Sequence, residues 1–330
     1  MIECMTEHTT ELTKTTELSL PATSPFNFKL TVSKPSHFPT MLETFDEEQE
    51  SFFRSLRLKD GKLIGLKISD LGTISSKDGI FVEIYSDNGL SAEEQSNLEK
   101  YMSNAYGLQE NINDFYEHVA GDSKLKPVID NLRGMRNSCF ENLYEAMNIG
   151  IMLQNATIRR TEQMMGNMLS SYGSIIRYGG KDLFVFYTPR SILKTNEERL
   201  RDLKIGYRAK FVTNTAQYFA DNEMLEEEIK QMSIEEARAK LLEIRGVGPY
   251  TANMLLFSCL RYPSFINFDV WNRKILSKFL FDNENVDVDT LNKECEKRWG
   301  KYQGYAALYI IENLFVNNPQ LQYWKNKKTE

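Results

Sequence analysis

The stretch from Ser233 to Leu260, SIEEARAKLLEIRGVGPYTANMLLFSCL, limits what this chain can fold into more than any other. Ser233 followed by Glu236 is a capping box, so a helix starts there, and its amphipathic pattern runs to Ile244 and Arg245. Gly246-Val247-Gly248 break that helix, and Pro249 suits the first position of a second one, where its missing N–H would be unpaired in any case. Two helices joined by so short a turn must pack closely. The two glycines permit backbone angles that other residues resist, and the second helix presents unpaired N–H groups at its start. Such a turn can hold a phosphate without a cationic side chain. From Gly-Val-Gly alone, an ordinary glycine-capped αα-hairpin is the better account of the pattern.

The flanking residues narrow the choice. Leu241, Leu242, Ile244, Gly246, Val247, Gly248, Thr251 and Ala252 fit an aliphatic pair, G-[VI]-G, two residues, then T-A. In this the segment resembles the hairpin of the helix-hairpin-helix base-excision DNA glycosylases. That family places an essential aspartate about twenty residues further on, opening the next helix before a hydrophobic and a basic residue. Here the sequence reads FINFDVWNRKIL, which makes Asp269 the implied catalytic carboxylate. Taken alone, an aspartate opening a helix is an N-cap; two motifs in register say more than either one.

Looser matches extend the resemblance over residues 125 to 315, namely LRGMRNSCFENLYEAMNIGIMLQNATIRRT, LKIGYRAKFV (Gly206, Tyr207, Arg208 and Ala209) and WGKYQGYAALYI. The resemblance implies that Arg245, Gly246, Val247, Gly248, Thr251 and Arg273 meet double-stranded DNA. It also implies that Gln154 and Asn155 line the DNA-facing groove, with Asn155 entering the gap left by an extruded base. Tyr250 and Trp299 are the implied stacking walls of the base pocket; aromatic residues at helical spacing are as readily core, and for Trp299 both readings stand. No cofactor or metal is implied beyond a monovalent cation at the hairpin carbonyls.

Members of the family that also cut the strand carry a lysine two residues after the second hairpin glycine, and Tyr250 stands there. A phenol cannot form the imine that lyase chemistry needs. The resemblance is therefore to the 3-methyladenine branch, which removes alkylated purines. A cationic purine already has a weakened glycosidic bond, so a single carboxylate that stabilises the oxocarbenium-like sugar and directs water suffices. Two alternatives stay open: an oxidised-guanine glycosylase of the same superfamily, and a non-catalytic DNA-binding module in which Asp269 only caps.

The expected architecture is α+β, a small N-terminal antiparallel β-sheet domain (25–124) followed by an all-α helix-hairpin-helix core (125–330, hairpin 233–260). Phe26, Phe28, Leu30 and Val32 alternate as in a strand, as do Ile80, Val82 and Ile84, and Asp60-Gly61 and Asp78-Gly79 suit turns around a strand at 62–69. Ser91 with Glu94 is another capping box. Residues 1–24, rich in Thr and Glu, read as a flexible acidic tail.

The net charge of −6 lies entirely in residues 1–50, while Arg238 to Lys278 carries a local +5, where a polyanion would be met. A charge run is commonly just a solvated helix face. Cys4, Cys139, Cys259 and Cys295 show no metal-ligand spacing. With no membrane-length apolar run and no secretory leader, the expectation is a cytoplasmic, nucleoid-associated monomer, or a nuclear one in a eukaryote.

Overall fold

A computed structural model describes residues 9–34, 36, 40–139 and 141–321. It opens with two strands, β1 (Thr9–Glu11) and β2 (Thr13–Pro21), where composition suggests a tail. That expectation is corrected for residues 9–21, and residues 1–8 lie outside the described chain. The tail reading fails because Thr is a good strand former and β2 has one solvated face, so few apolar residues are needed: Leu18 points inward while its neighbours are exposed.

Residues Phe28–Val32 form a short helix, α1, and not the expected strand. Asn27 decides this by accepting the Leu30 amide at 3.0 Å, and burial falls on Phe28, Thr31 and Val32, a helical spacing. A run of alternating residues this short cannot separate the two periods.

The strands β3 (Glu43–Asp46), β4 (Ser51–Arg57), β5 (Leu63–Asp70) and β6 (Gly79–Ser86) follow. With β2 they make a five-stranded antiparallel sheet in the order β2-β6-β5-β4-β3. Ile80, Val82 and Ile84 alternate inward as read from the sequence, and all are fully buried. Helix α2 (Ala92–Tyr106), opened by the expected Ser91–Glu94 box, covers that face with Leu98, Met102 and Tyr106.

The helical part runs through α3 (Asn113–His118), α4 (Lys126–Asn131), α5 (Leu143–Leu153) and α6 (Ile158–Tyr172). It is not all-α. A hairpin of β7 (Ser174–Tyr178) and β8 (Lys181–Val185) turns at Gly179-Gly180, both at positive φ, a glycine pair that suits a two-residue hairpin turn. Strand β1 pairs in parallel with β7, Thr9 opposite Ile175. The ring of Tyr178 occupies the space at Gly65, where a Cβ would stand 2.5 Å from it, so hairpin and sheet share one layer of packing.

The chain continues as α7 (Pro189–Leu193), α8 (Glu197–Leu200), α9 (Arg208–Asp221), α10 (Leu225–Ile229), α11 (Ile234–Glu243), α12 (Pro249–Ser258), α13 (Val270–Phe281), α14 (Val288–Trp299) and α15 (Gln303–Asn317). Two hydrophobic cores result. One gathers α5, α6, α9, α11 and α12; the other gathers α3, α4, α13, α14 and α15. The linker from α12 to α13 crosses between them. Where Arg54 of β4 meets Glu43 of β3 at 2.9 Å and Glu145 of α5 at 3.1 Å, a buried ion cluster joins the sheet to the first helical core. Cys139 and Cys259 are free thiols with sulfurs 3.4 Å apart, and Cys295 is free and buried. Among the described residues no helix is long and apolar enough to cross a membrane.

Candidate active site and DNA interface

The hairpin forms as its sequence requires. Ser233 and Glu236 exchange capping bonds, Ile244 closes α11, and the chain turns through Gly246 at φ +105°. A side chain on Gly246 would be strained by that angle, and its Cβ would also meet Phe211 at 2.8 Å. Gly248 is different. Its φ is −93° and nothing lies within 4 Å of a Cβ placed there, so it is not needed for the turn angle as the sequence suggests. What it leaves is an open approach to the start of α12, where Pro249 sits in the first turn and no side chain caps the helix. Uncapped N–H groups at a helix start suit an anion.

Two of the residues expected at the DNA have their side chains packed into the core. Val247 is buried, and Thr251 is only 2% exposed. The Thr251 methyl lies 2.9 Å from where a Cβ of Gly150 would be, so it fixes the close crossing of α12 on α5. The threonine of the T-A pair thus meets a packing requirement. Arg245 is exposed and Arg273 half-exposed, and neither ion-pairs with a carboxylate among the described residues. Both guanidinium groups are open to an outside anion.

Gln154 bridges the α5–α6 turn to the hairpin, its Nε2 donating to the Gly246 carbonyl at 2.8 Å. Beside it, Asn155 is exposed and held at φ +49°, a conformation Asn tolerates better than most residues. Beneath this tip is Arg208, one of the residues of the G-Y-R-A segment. Its buried guanidinium donates to the carbonyls of Ile151, at 3.2 Å, and of Gln154, satisfying the open end of α5.

Asp269 is the N-cap of α13, its Oδ1 accepting the Asn272 amide at 2.7 Å. Capping and exposure to the site are compatible: the carboxylate is half-buried and lines a cavity of about 440 Å³. Burial raises its carboxyl above the ordinary value of 3.8, and the amides of Asn272 and Trp271 pull it back. A cavity of this size class can enclose a small flat ligand. Trp271, Ile275, Ile311 and Phe315 give it apolar walls, with Asn137 and Asn267 among its polar ones.

Tyr250 is 38% exposed and close enough to Asp269 that the carboxylate, added to burial, pushes its phenol up to about 12. It stands beside the acid without lining the cavity. Trp299 is a correction. It is fully buried in the second helical core, and its indole N–H donates to Asp122 at 2.9 Å, so it is a structural residue. The tryptophan at the cavity is Trp271, 69% exposed on the first turn of α13, beside Phe257, Phe265 and Phe315. Its signal was present in FDVWN, a large apolar side chain next to a cap and off the helix's buried stripe.

Among the described residues no group of three His, Cys, Asp or Glu could hold a metal ion. At the hairpin, the carbonyls of Ile244 and Gly246 already accept N–H bonds from Val247 and Gln154.

Residues 149–301 match the HhH-GPD superfamily of base excision DNA repair proteins. A DNA-3-methyladenine glycosylase of Bacillus subtilis (strain 168) is 27% identical over 221 residues, 66% of this chain and 72% of that protein. Among solved structures, the 3-methyladenine DNA glycosylase of Archaeoglobus fulgidus superposes with a TM-score of 0.70 at 20% identity, covering 92% of this chain and 99% of its own. The apo 8-oxoguanine glycosylase/lyase of Clostridium acetobutylicum gives 0.69 at 19% identity, covering 92% and 98%. The likeness to these two structures is one of fold.

Proposed function

We propose that this chain is a base excision repair DNA glycosylase of the HhH-GPD superfamily, that it is monofunctional, and that it releases alkylated purines by hydrolysis. The observation that carries the reading is Asp269: one half-buried carboxylate on a base-sized cavity, at the foot of an uncapped hairpin with unpaired arginines beside it. The name of the Bacillus subtilis relative points the same way.

In this reading the hairpin amides, Arg245 and Arg273 grip the backbone of duplex DNA while the damaged nucleotide swings out of the stack. Asn155, at the exposed tip, enters the space it leaves. Tyr250 and Trp271 flank the base and the acid. As the C1′–N bond breaks, its electron pair leaves with the base and positive charge develops on the sugar, where the Asp269 carboxylate opposes it. Water adds to C1′ and gives up its proton, with Asp269 as the nearby base. Tyr250 supplies no amine, so the product is an intact strand with an abasic site.

One observation favours a second reading. Lys34 lines the same cavity, its Nζ donating to the Ser138 carbonyl at 2.7 Å, and a primary amine in that space is what strand cleavage through an imine requires.

Duplexes carrying 7-methylguanine, 1,N6-ethenoadenine or 8-oxoguanine, incubated with the protein and resolved with and without alkali beside a borohydride trap, separate these readings. Alkylated strands that break only after alkali, with no trapped adduct, are the expected result. A trapped adduct lost in Lys34→Ala establishes the second reading, and no base release from any duplex would leave a DNA-binding module.

A further inference from the structure

The polar side chains around the cavity are mostly committed to the protein. Asn137 donates to the Phe257 carbonyl at 2.8 Å, Asn272 to the Asn267 carbonyl at 2.8 Å, and Ser36 gives its amide, at 2.9 Å, and its hydroxyl to Glu312. Asn267 is not. Its carboxamide oxygen is buried with no donor, and neither end of the amide bonds to any described residue. Other buried polar atoms among the described residues also lack a partner, but none of those residues lines the cavity that holds Asp269.

The backbone beneath this side chain is held from two directions. Asn272 grips the Asn267 carbonyl, and Gly304, which donates to the Pro263 carbonyl at 2.8 Å, lets the 263–267 segment lie so close to α15 that a Cβ there would be 2.4 Å from the Phe265 carbonyl. A free amide on a fixed backbone is pre-positioned, and it can turn toward the cavity without breaking a protein hydrogen bond. Leaving an amide oxygen buried and unpaired is unfavourable, and a ligand that supplies the donor removes that cost.

We infer that Asn267 is the specificity-determining residue of the base pocket, reading the extruded purine by a pair of hydrogen bonds to its edge. The inference rests on the glycosylase reading above. An amide offers a donor and an acceptor side by side, and so does the N1–H and O6 edge of a guanine-type base or the N6 and ring-nitrogen edge of an adenine-type one. A base whose N1 and N6 are bridged, such as 1,N6-ethenoadenine, offers an acceptor but no N–H on that edge. It leaves the buried Asn267 oxygen unpaired.

The test is single-turnover release of hypoxanthine, 7-methylguanine and 1,N6-ethenoadenine from duplexes by the wild type, Asn267→Leu and Asn267→Ala, with the melting temperature of each ligand-free protein. Release of hypoxanthine and 7-methylguanine falls about tenfold or more in both variants, the loss of a paired edge, while 1,N6-ethenoadenine is released no faster by the wild type than by Asn267→Leu. The near-isosteric leucine keeps or raises the melting temperature, because it removes an unpaired buried oxygen. Equal losses on all three bases, or none, overturn the role of Asn267 while leaving the glycosylase reading standing. No release of any base by the wild type overturns both.

Discussion

The amide of Gln154 donates to the carbonyl of Gly246 at 2.8 Å, so the turn that carries Asn155 is tied directly to the Gly246 turn, proposed above to grip the DNA backbone. The two segments come from different helix pairs, yet this bond makes them one surface. Gln154→Ala should therefore weaken binding of duplex DNA roughly fivefold, as expected for one hydrogen bond, with little change in melting temperature. Fluorescence anisotropy on an abasic-site duplex measures it, and unchanged affinity would mean that packing alone aligns the two turns.

Asp269→Asn should retain DNA binding and reduce base release by on the order of 10³-fold, the scale expected when a group opposing transition-state charge is lost. The wild-type rate should also fall on the acid side with a midpoint above 3.8, since burial raises this carboxyl and the working form is the anion. A pH–rate profile that keeps the same acid limb in the variant would assign that limb to another group.

The two tryptophans should separate cleanly. Trp271→Ala removes an exposed ring at the cavity, and activity drops while stability stays within about 0.5 kcal/mol. Trp299→Ala opens a hole in the second helical core and removes one of the donors to Asp122, costing about 3–5 kcal/mol. Paired urea melts and activity measurements decide, and a Trp299 variant of normal stability with reduced release would restore it to the site.

Burial, reinforced by Glu141 and opposed by Arg54, raises the Glu145 carboxyl from 4.5 to about 7. Its folded form therefore holds a proton more tightly than its unfolded form. The stability this contributes is complete below about 4.5 and is lost as pH rises through about 7. Glu145→Gln, which fixes the neutral state, should flatten the decline in melting temperature across that interval. A wild-type curve without the decline would mean that Arg54 keeps Glu145 ionised throughout.

The hairpin, the Asp269 cap, the alternating strand β6 and the Ser91 helix start were legible because each depends on local chemistry: a glycine at a required angle, a cap, a two-residue period. The misreadings share a different cause. Strand β2 is a strand because β6 pairs with it, Trp299 is core because Asp122 is there to take its N–H, and Thr251 packs because Gly150 leaves room. Each of those partners is far away in sequence. Asn267 escaped for the opposite reason: what marks it is a bond it does not make, and no pattern of residues records that.

The parallel pairing of β1 with β7 has a consequence for how the protein is made. During synthesis the first described strand leaves the ribosome long before Ile175, its neighbour in the sheet, has been translated. Until then Thr9–Glu11 has an open edge, and the layer around Tyr178 cannot close over Gly65. The first strand thus waits for the middle of the chain to arrive, and cutting the gene between them would leave β1 without a neighbour and β7 without its parallel partner.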